Sequence, residues 1–149
     1  MNSELTRDFT ATAFVFWRGK VLLHKHKRLG MWLPCGGHIE PNELPDEAAV
    51  RECLEESGVP IELVPDYALT VKEPQQLVRP RGVQLEHITP THQHIDLIYF
   101  ARPIASYQGG FGVDDDSLAW YGQEDCAAMD LSEEVRAWLE LLFQEMASE

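Results

Sequence analysis

The residues best suited to chemistry lie between Gly36 and Gly58. Arg51-Glu52-Cys53-Leu54-Glu55-Glu56 falls inside Pro45 to Ser57, the clearest helix in the chain. Pro45 suits a first turn, Asp46 and Glu47 complement the N-terminal dipole, and Gly58 stands where a left-handed C-terminal residue belongs. At 3.6 residues per turn, Glu52, Glu55 and Glu56 share one face within about 100° of arc. Carboxylates so close repel each other by about 0.2–0.5 kcal/mol per pair even on an exposed surface. Taken alone, such a helix is most simply a solvated face, with Arg51 salt-bridged along the i,i+4 row of Glu47 and Glu55. Two upstream features shift the balance. Gly36-Gly37 lets the backbone approach a ligand more closely than bulkier residues would, and Glu43 sits at the loop-to-helix junction, where it can meet Arg51.

Charge gives the cluster a direction. The formal net charge is −13, which disfavours non-specific binding to nucleic-acid backbones or anionic membranes. A site holding several carboxylates accepts a polyphosphate only if divalent cations lie between the two sets of negative charge. Plain solubility accounts equally well for an acidic composition, so the spacing of the residues carries the argument.

Gly37, five residues, Glu43, seven residues, then Arg51-Glu52-Cys53-Leu54-Glu55-Glu56-Ser57-Gly58-Val59 resembles the Nudix signature G-x5-E-x7-R-E-U-x-E-E-x-G-U, with U aliphatic. Every polar and glycine position agrees. At residue usages of roughly 5–7%, seven fixed identities arise by chance on the order of once in 10⁸ starting positions. Cys53 replaces the first aliphatic residue as a small apolar stand-in. Asn42 precedes Glu43 where many relatives have glycine, and asparagine is the next-best residue for a left-handed turn. The resemblance implies an α/β (α+β) fold, the α/β/α sandwich with a mixed sheet between helices. It also implies hydrolysis of a phosphoanhydride in a nucleoside diphosphate derivative. Glu52, Glu55 and Glu56 would hold Mg²⁺ (or Mn²⁺) together with the Gly36 carbonyl, while Arg51 and Glu43 fix the glutamates. For the general base it points first to Glu52, with Asp114, Asp115 and Asp116 as loop candidates.

The elements that must position these residues can be read around the box. Thr10–Trp17 and Lys20–Lys25 form a hairpin about the Arg18-Gly19 turn, and Trp32–Glu40 is irregular and tightly turned. Ile61–Val64, Ala68–Val71, Val83–Ile88, His94–Phe100 and Leu118–Tyr121 read as strands; Leu77–Gly82 and Gly109–Asp116 read as loops. A C-terminal amphipathic helix starts from an Asp130/Glu133 capping box and lines one face with Val135, Trp138, Leu141, Leu142 and Met146. The length suits one domain, residues 1–149, and strands before and after a helix suggest a mixed sheet flanked by helices, α/β or α+β.

Substrate contacts are less marked. Lys25, Lys27 and Arg28 before Trp32, Arg79 and Arg81 on the far side, and Asp114 are candidates, with solvation as the competing reading. His92, His94 and Asp96 alternate on one strand face, a conceivable metal or base constellation. Trp32, Tyr99 and Trp120 are candidates to stack on a base against ordinary core packing. Pro74, 16 residues after Gly58, falls about where a proline resembles an ADP-ribose hydrolase marker. No tyrosine occupies Gln75-Gln76-Leu77, where the dinucleoside polyphosphate group carries one, and the NADH hydrolase marker is absent. The substrate expectation is therefore an ADP-ribose or nucleotide-sugar type, with nucleoside triphosphates, oxidised ones included, as the alternative. A non-catalytic nucleotide-binding regulator and a purely structural acidic protein are the rivals from other classes. Isoprenoid diphosphate isomerisation would need Cys35 as a placed nucleophile or acid.

Cys35, Cys53 and Cys126 are odd in number and outside any CxxC pair, which suits reduced thiols in a cytoplasmic protein. No apolar run approaches the roughly 20 residues of a membrane span, and Met1–Asp8 lacks the pattern of a signal peptide. Homodimers are frequent in the resembled family, so a homodimer is among the expectations.

Overall fold

The computed structural model describes residues 4–147. Met1-Asn2-Ser3, part of the stretch read as lacking a signal peptide, and Ser148-Glu149 lie outside it. In chain order the first elements are β1 (Thr6–Trp17), β2 (Lys20–Lys25), β3 (Trp32–Leu33), β4 (Cys35–His38), α1 (Pro45–Ser57) and β5 (Ile61–Leu63). They are followed by β6 (Gly82–Thr89), β7 (His92–Pro103), β8 (Ala119–Gly122), α2 (Gln123–Ala128) and α3 (Glu133–Met146).

The sheet is organised about β1 and β7, which run parallel in unbroken register from Thr6↔His92 to Val15↔Ala101. Every other described ladder is antiparallel, so the sheet is mixed. On its other side β1 pairs first with β4, from Thr10↔His38 to Ala13↔Cys35, and then with β2. β5 and β6 share the far side of β7, one at each end.

Strand alternation sorts β1 into two cores. Ala11, Ala13 and Val15 face α1 with Cys35, Tyr99 and Ala101, meeting Ala48, Ala49 and Cys53. Phe14 faces α3 with Ile98 and Phe100, meeting Val135, Leu139, Leu142, Phe143 and Met146. The α1 layer is built of small residues, so that helix lies close against the sheet. Cys53 is fully buried there and fills the aliphatic place of the signature.

Local conformation follows residue type where the backbone is strained. Arg18 and Gly19 both have positive φ (52° and 77°), the requirement of a two-residue hairpin turn that follows the strand twist. Asn42 adopts φ 68°, the left-handed value anticipated for it. Gly58 ends α1 at φ 77°, where a β-carbon would also stand 2.3 Å from the Gly112 nitrogen. Ser57 is buried but satisfied, donating to the Cys53 carbonyl at 2.6 Å and accepting from the Val59 amide at 3.1 Å.

Several expected elements differ. Ala68–Val71 is not a strand: β1 on one side of β7, with β5 and β6 on the other, leaves that segment no ladder, and Leu69 and Val71 stay exposed. The stretch read as irregular, Trp32–Glu40, contains β3 and β4. The C-terminal helix is capped by Ser132, whose Oγ accepts from the Val135 amide at 3.2 Å, not by Asp130. Arg136 explains the shift, since its guanidinium donates to the Cys126 and Met129 carbonyls and holds the preceding chain in a non-helical turn. Leu141 is exposed, and Leu139 and Phe143 take the buried face. The short helix α2 was not anticipated.

Asp96 is a buried carboxyl in the middle of β7, accepting hydrogen bonds from Thr12 Oγ1 at 2.9 and 3.0 Å. Burial, and then its hydrogen bond and charge interaction with Glu86, raise its pKa from the ordinary carboxylate range to about 8. The folded protein thus holds this proton more tightly than the unfolded chain. The resulting stability is complete below the ordinary carboxylate range and is lost as pH rises through about 8. Urea unfolding across pH 5–9 is expected to show a steeper decline in the wild type than in Asp96→Asn. Equal slopes would remove Asp96 from this account.

Candidate active site

Arg51 projects from α1 and is the hub of the site. Its Nε and Nη2 donate to the two Glu43 oxygens at 2.7 and 2.9 Å, a bidentate pair. Nη2 also donates to the His38 carbonyl at 2.9 Å, and Nη1 to Glu52 at 3.0 Å and Glu55 at 3.1 Å. One guanidinium therefore joins the loop, strand β4 and two of the three helix glutamates. The hydrogen bond from Arg51 leads the lowering of the Glu43 pKa, and Glu43 in turn raises that of Arg51. Glu47, expected on the same row, turns instead to the Leu44 amide at the start of α1.

The glutamates converge on the paired glycines. A β-carbon on Gly37 would stand 2.4–2.6 Å from the Glu52 carboxylate, so glycine is what allows that group to lie against β4. The Gly36 amide donates to Glu56 at 2.7 Å, which sets this residue beside the glutamates, where its carbonyl was expected to serve. Glu52 and Glu56 are mostly covered, while Glu55 is exposed. Burial drives the Glu56 pKa up to about 7; the Gly36 amide opposes this, and Glu52 and Glu55 add to it. Three carboxylates of which one would otherwise hold its proton near neutrality, all offering oxygen donors, form a set that fits a hard divalent cation.

His24, at the end of β2, was not singled out by sequence. Its Nε2 lies 3.9 Å from Glu56 and its Nδ1 4.0 Å from Asp115, so it bridges the helix and the loop at 114–117. Burial lowers its pKa, against the charge of Asp115, which favours a neutral ring. Nothing but its position at a strand end beside a basic stretch marked it.

An open groove of about 430 Å³ adjoins this end of β2, lined by Lys25, His26, Lys27, Gly30 and residues 114–117. Lys25 and Asp114 therefore line one groove, as candidate substrate contacts would. Asp115 is held by Ser117, whose amide and hydroxyl it accepts at 2.9 and 2.7 Å, and this contact leads the lowering of its pKa. Arg28 lies in the exposed turn beyond, its amide directed at His26 Nδ1. Arg79 and Arg81 are not brought to the glutamates. Arg79 pairs with Asp66 at 2.9 Å, and Arg81 pairs with Glu145 of α3 over the Phe100 ring. Both sit in the segment leading into β6, and Arg81 is drawn to the α3 face, opposite α1.

Tyr99 is a core residue, and Trp120 packs in a satellite cluster with Trp17, Tyr107 and Phe111. Trp32 lies edge-on to Tyr121 with Lys25 above it. Cys35 is wholly buried, and its contact with Cys53 and its burial push the thiol pKa up, which suits neither a nucleophile nor an acid in the site. His92 and His94 do gather, but with Asp8 and His38 rather than Asp96.

The family model described as NUDIX domain matches residues 6–142. Among solved structures, a hydrolase of the NUDIX family from Clostridium perfringens is 33% identical, covers 95% of this chain and 99% of its own, and superposes with a TM-score of 0.80. An Ap4A hydrolase from C. elegans shares the fold at 16% identity, with a TM-score of 0.68 over 91% of this chain and 95% of its own. A Bacillus subtilis (strain 168) protein named "Putative 8-oxo-dGTP diphosphatase" is 43% identical over 53 residues, 34% of this chain. That match spans about a third (36%) of the curated relative.

Replacing the planar fork by an ammonium keeps the charge of Arg51 but loses the bidentate pair. Arg51→Lys is expected to weaken divalent-cation binding at the glutamates by about 10–100-fold, as loss of a ligand-orienting contact does. A titration of turnover with divalent cations is the check, and an unchanged half-saturation and rate would show that the hub does not position the glutamates.

Proposed function

The chain belongs to the Nudix family of hydrolases, and from this we propose that it cleaves the phosphoanhydride of a nucleoside diphosphate linked to another moiety, with Mg²⁺ held by Glu52, Glu55, Glu56 and Gly36. The observation that carries this reading is the convergence of Glu52 and Glu56 on Gly36-Gly37, Glu52 held by Arg51 and Glu56 by the Gly36 amide. When bound, the cation screens phosphate charge and lowers the pKa of the attacking water.

The side chains supply the rest. Glu52, oriented by Arg51 over Gly37, takes the proton from the water as general base. Glu56 is kept beside β4 by the Gly36 amide. Lys25, with Lys27, faces the groove from which phosphate oxygens approach, and Asp114 faces it from the opposite loop. The three cysteines are free thiols, in keeping with a cytoplasmic enzyme. Among the described residues no helix is long and apolar enough to cross a membrane.

An ADP-ribose or nucleotide-sugar substrate rests on the placing of Pro74. A second reading, a nucleoside triphosphate such as an oxidised one, is favoured by the likeness to the B. subtilis protein. Product release from ADP-ribose, UDP-sugars, dinucleoside polyphosphates and ordinary and oxidised nucleoside triphosphates, with Mg²⁺ or EDTA, distinguishes them. Cleavage should require the cation. Glu52→Gln and Glu56→Gln should each lower kcat by about 10²–10⁴-fold without loss of fold. Near-normal turnover in both variants would overturn the assignment.

A further inference from the structure

On the sheet face turned away from the Glu52 carboxylate, three histidines and an aspartate gather from three strands. Thr6↔His92 and Asp8↔His94 are partners across β1 and β7, and Thr10↔His38 are partners across β1 and β4. Asp8 Oδ2 lies 3.1 Å from His38 Nε2 and 3.2 Å from His92 Nε2. The His94 ring is edge-on to both His38 and His92, with centroids 5.0 Å apart in each case. One donor atom from each of the four residues lies within 4.8 Å of every other.

We propose that Asp8, His38, His92 and His94 form a second cation site, one for a nitrogen-seeking transition ion, with Zn²⁺ as the fitting case. At zinc–ligand distances of about 2.0–2.2 Å, a tetrahedron has edges of about 3.3–3.6 Å. The two measured separations from Asp8 are already close to that edge. No gap exceeds it by more than about 1.5 Å, a distance that side-chain rotation spans. Three imidazoles and one carboxylate suit zinc and its neighbours, whereas Mg²⁺ prefers an all-oxygen shell.

The surroundings resemble a supported ligand set. Thr6 Oγ1 lies 2.8 Å from His92 Nδ1, which fixes that ring with its other nitrogen toward Asp8. The Asp8 carboxylate is shared by two imidazoles, and the third ring lies against both. A cation at the centre uses all four groups at once.

This site is distinct from the glutamate cluster. Gly37 and His38 are consecutive in β4, so their side-chain directions are opposed, and the Glu52 carboxylate lies on the Gly37 side. The two are mechanically joined, because the His38 carbonyl accepts from Arg51. A bound ion would tie the first residues of β1 to β4 and β7 beside the glycine pair.

The test is titration of tag-free, chelator-stripped protein with Zn²⁺, and with Co²⁺ as a spectroscopic reporter, in excess Mg²⁺. The wild type should take up about one equivalent, give the visible Co²⁺ spectrum of a four-coordinate site, and melt at a higher temperature with Zn²⁺. His92→Ala, His94→Ala and Asp8→Asn should each weaken uptake by at least about tenfold, while Glu52→Gln/Glu56→Gln should keep it. Absence of stoichiometric uptake by the wild type would overturn the proposal. So would uptake lost in the glutamate double variant and retained in the histidine and aspartate variants.

Discussion

Arg51 is a cation held on four sides by groups from three parts of the chain. Glu43 comes from the loop before α1, the His38 carbonyl from β4, and Glu52 and Glu55 from the helix itself. Planar forked donors suit this task, because each nitrogen can address a different acceptor in a fixed geometry. Without it, Glu43 would lose its bidentate partner, and Glu52 and Glu55 would lose the cation between them, leaving only the Gly36 amide to hold Glu56. The loop from His38 to Leu44 closes tightly around the same pair, with Glu43 bound back to the Glu40 amide and Asn42 in the left-handed region. Loop shape and glutamate placement are thus two consequences of one ion-pair network.

That network could not form unless α1 approached the sheet closely. Ala48, Ala49 and Cys53 meet Ala11, Ala13 and Cys35, and these short side chains let the Glu52 carboxylate reach the backbone of β4. Larger residues on either surface would lift the helix and open the space between the glutamates and the glycines. The apolar contact and the polar cluster are therefore the two faces of the same helix, one setting the distance that the other needs.

Carboxylates recur as a cost distributed through the fold. Glu56 is raised by burial among its neighbours, and Asp96 is raised by burial beside Glu86. They are handled differently: the first lies among oxygen donors suited to a cation, whereas the second accepts from Thr12 in a part of β7 turned toward the α3 side. In a chain of net charge −13, each such cluster needs its own compensation within a few ångströms, since the long-range field is screened and, where felt, repels a further carboxylate.

The local elements were largely legible. α1 from Pro45 to Ser57 and β2 from Lys20 to Lys25 have the bounds read from their punctuation, because proline, glycine and alternation act on neighbouring residues. The left-handed positions at Asn42 and Gly58, and the pairing of Glu43 with Arg51, follow from spacing along one loop and one helix. Other features required the assembled sheet. Ala68–Val71 has strand-like composition but no open ladder on β7, and Arg81 is drawn to Glu145, 64 residues away. His24 meets Asp115 across the fold, and Asp8 replaces Asp96 as the carboxylate beside His92 and His94 because β1 runs parallel to β7 in one particular register. The sequence determined what each segment could be and which glutamates would gather. Only the tertiary structure decided which distant residues faced them, since strand register and sheet order bring together groups that no local spacing connects.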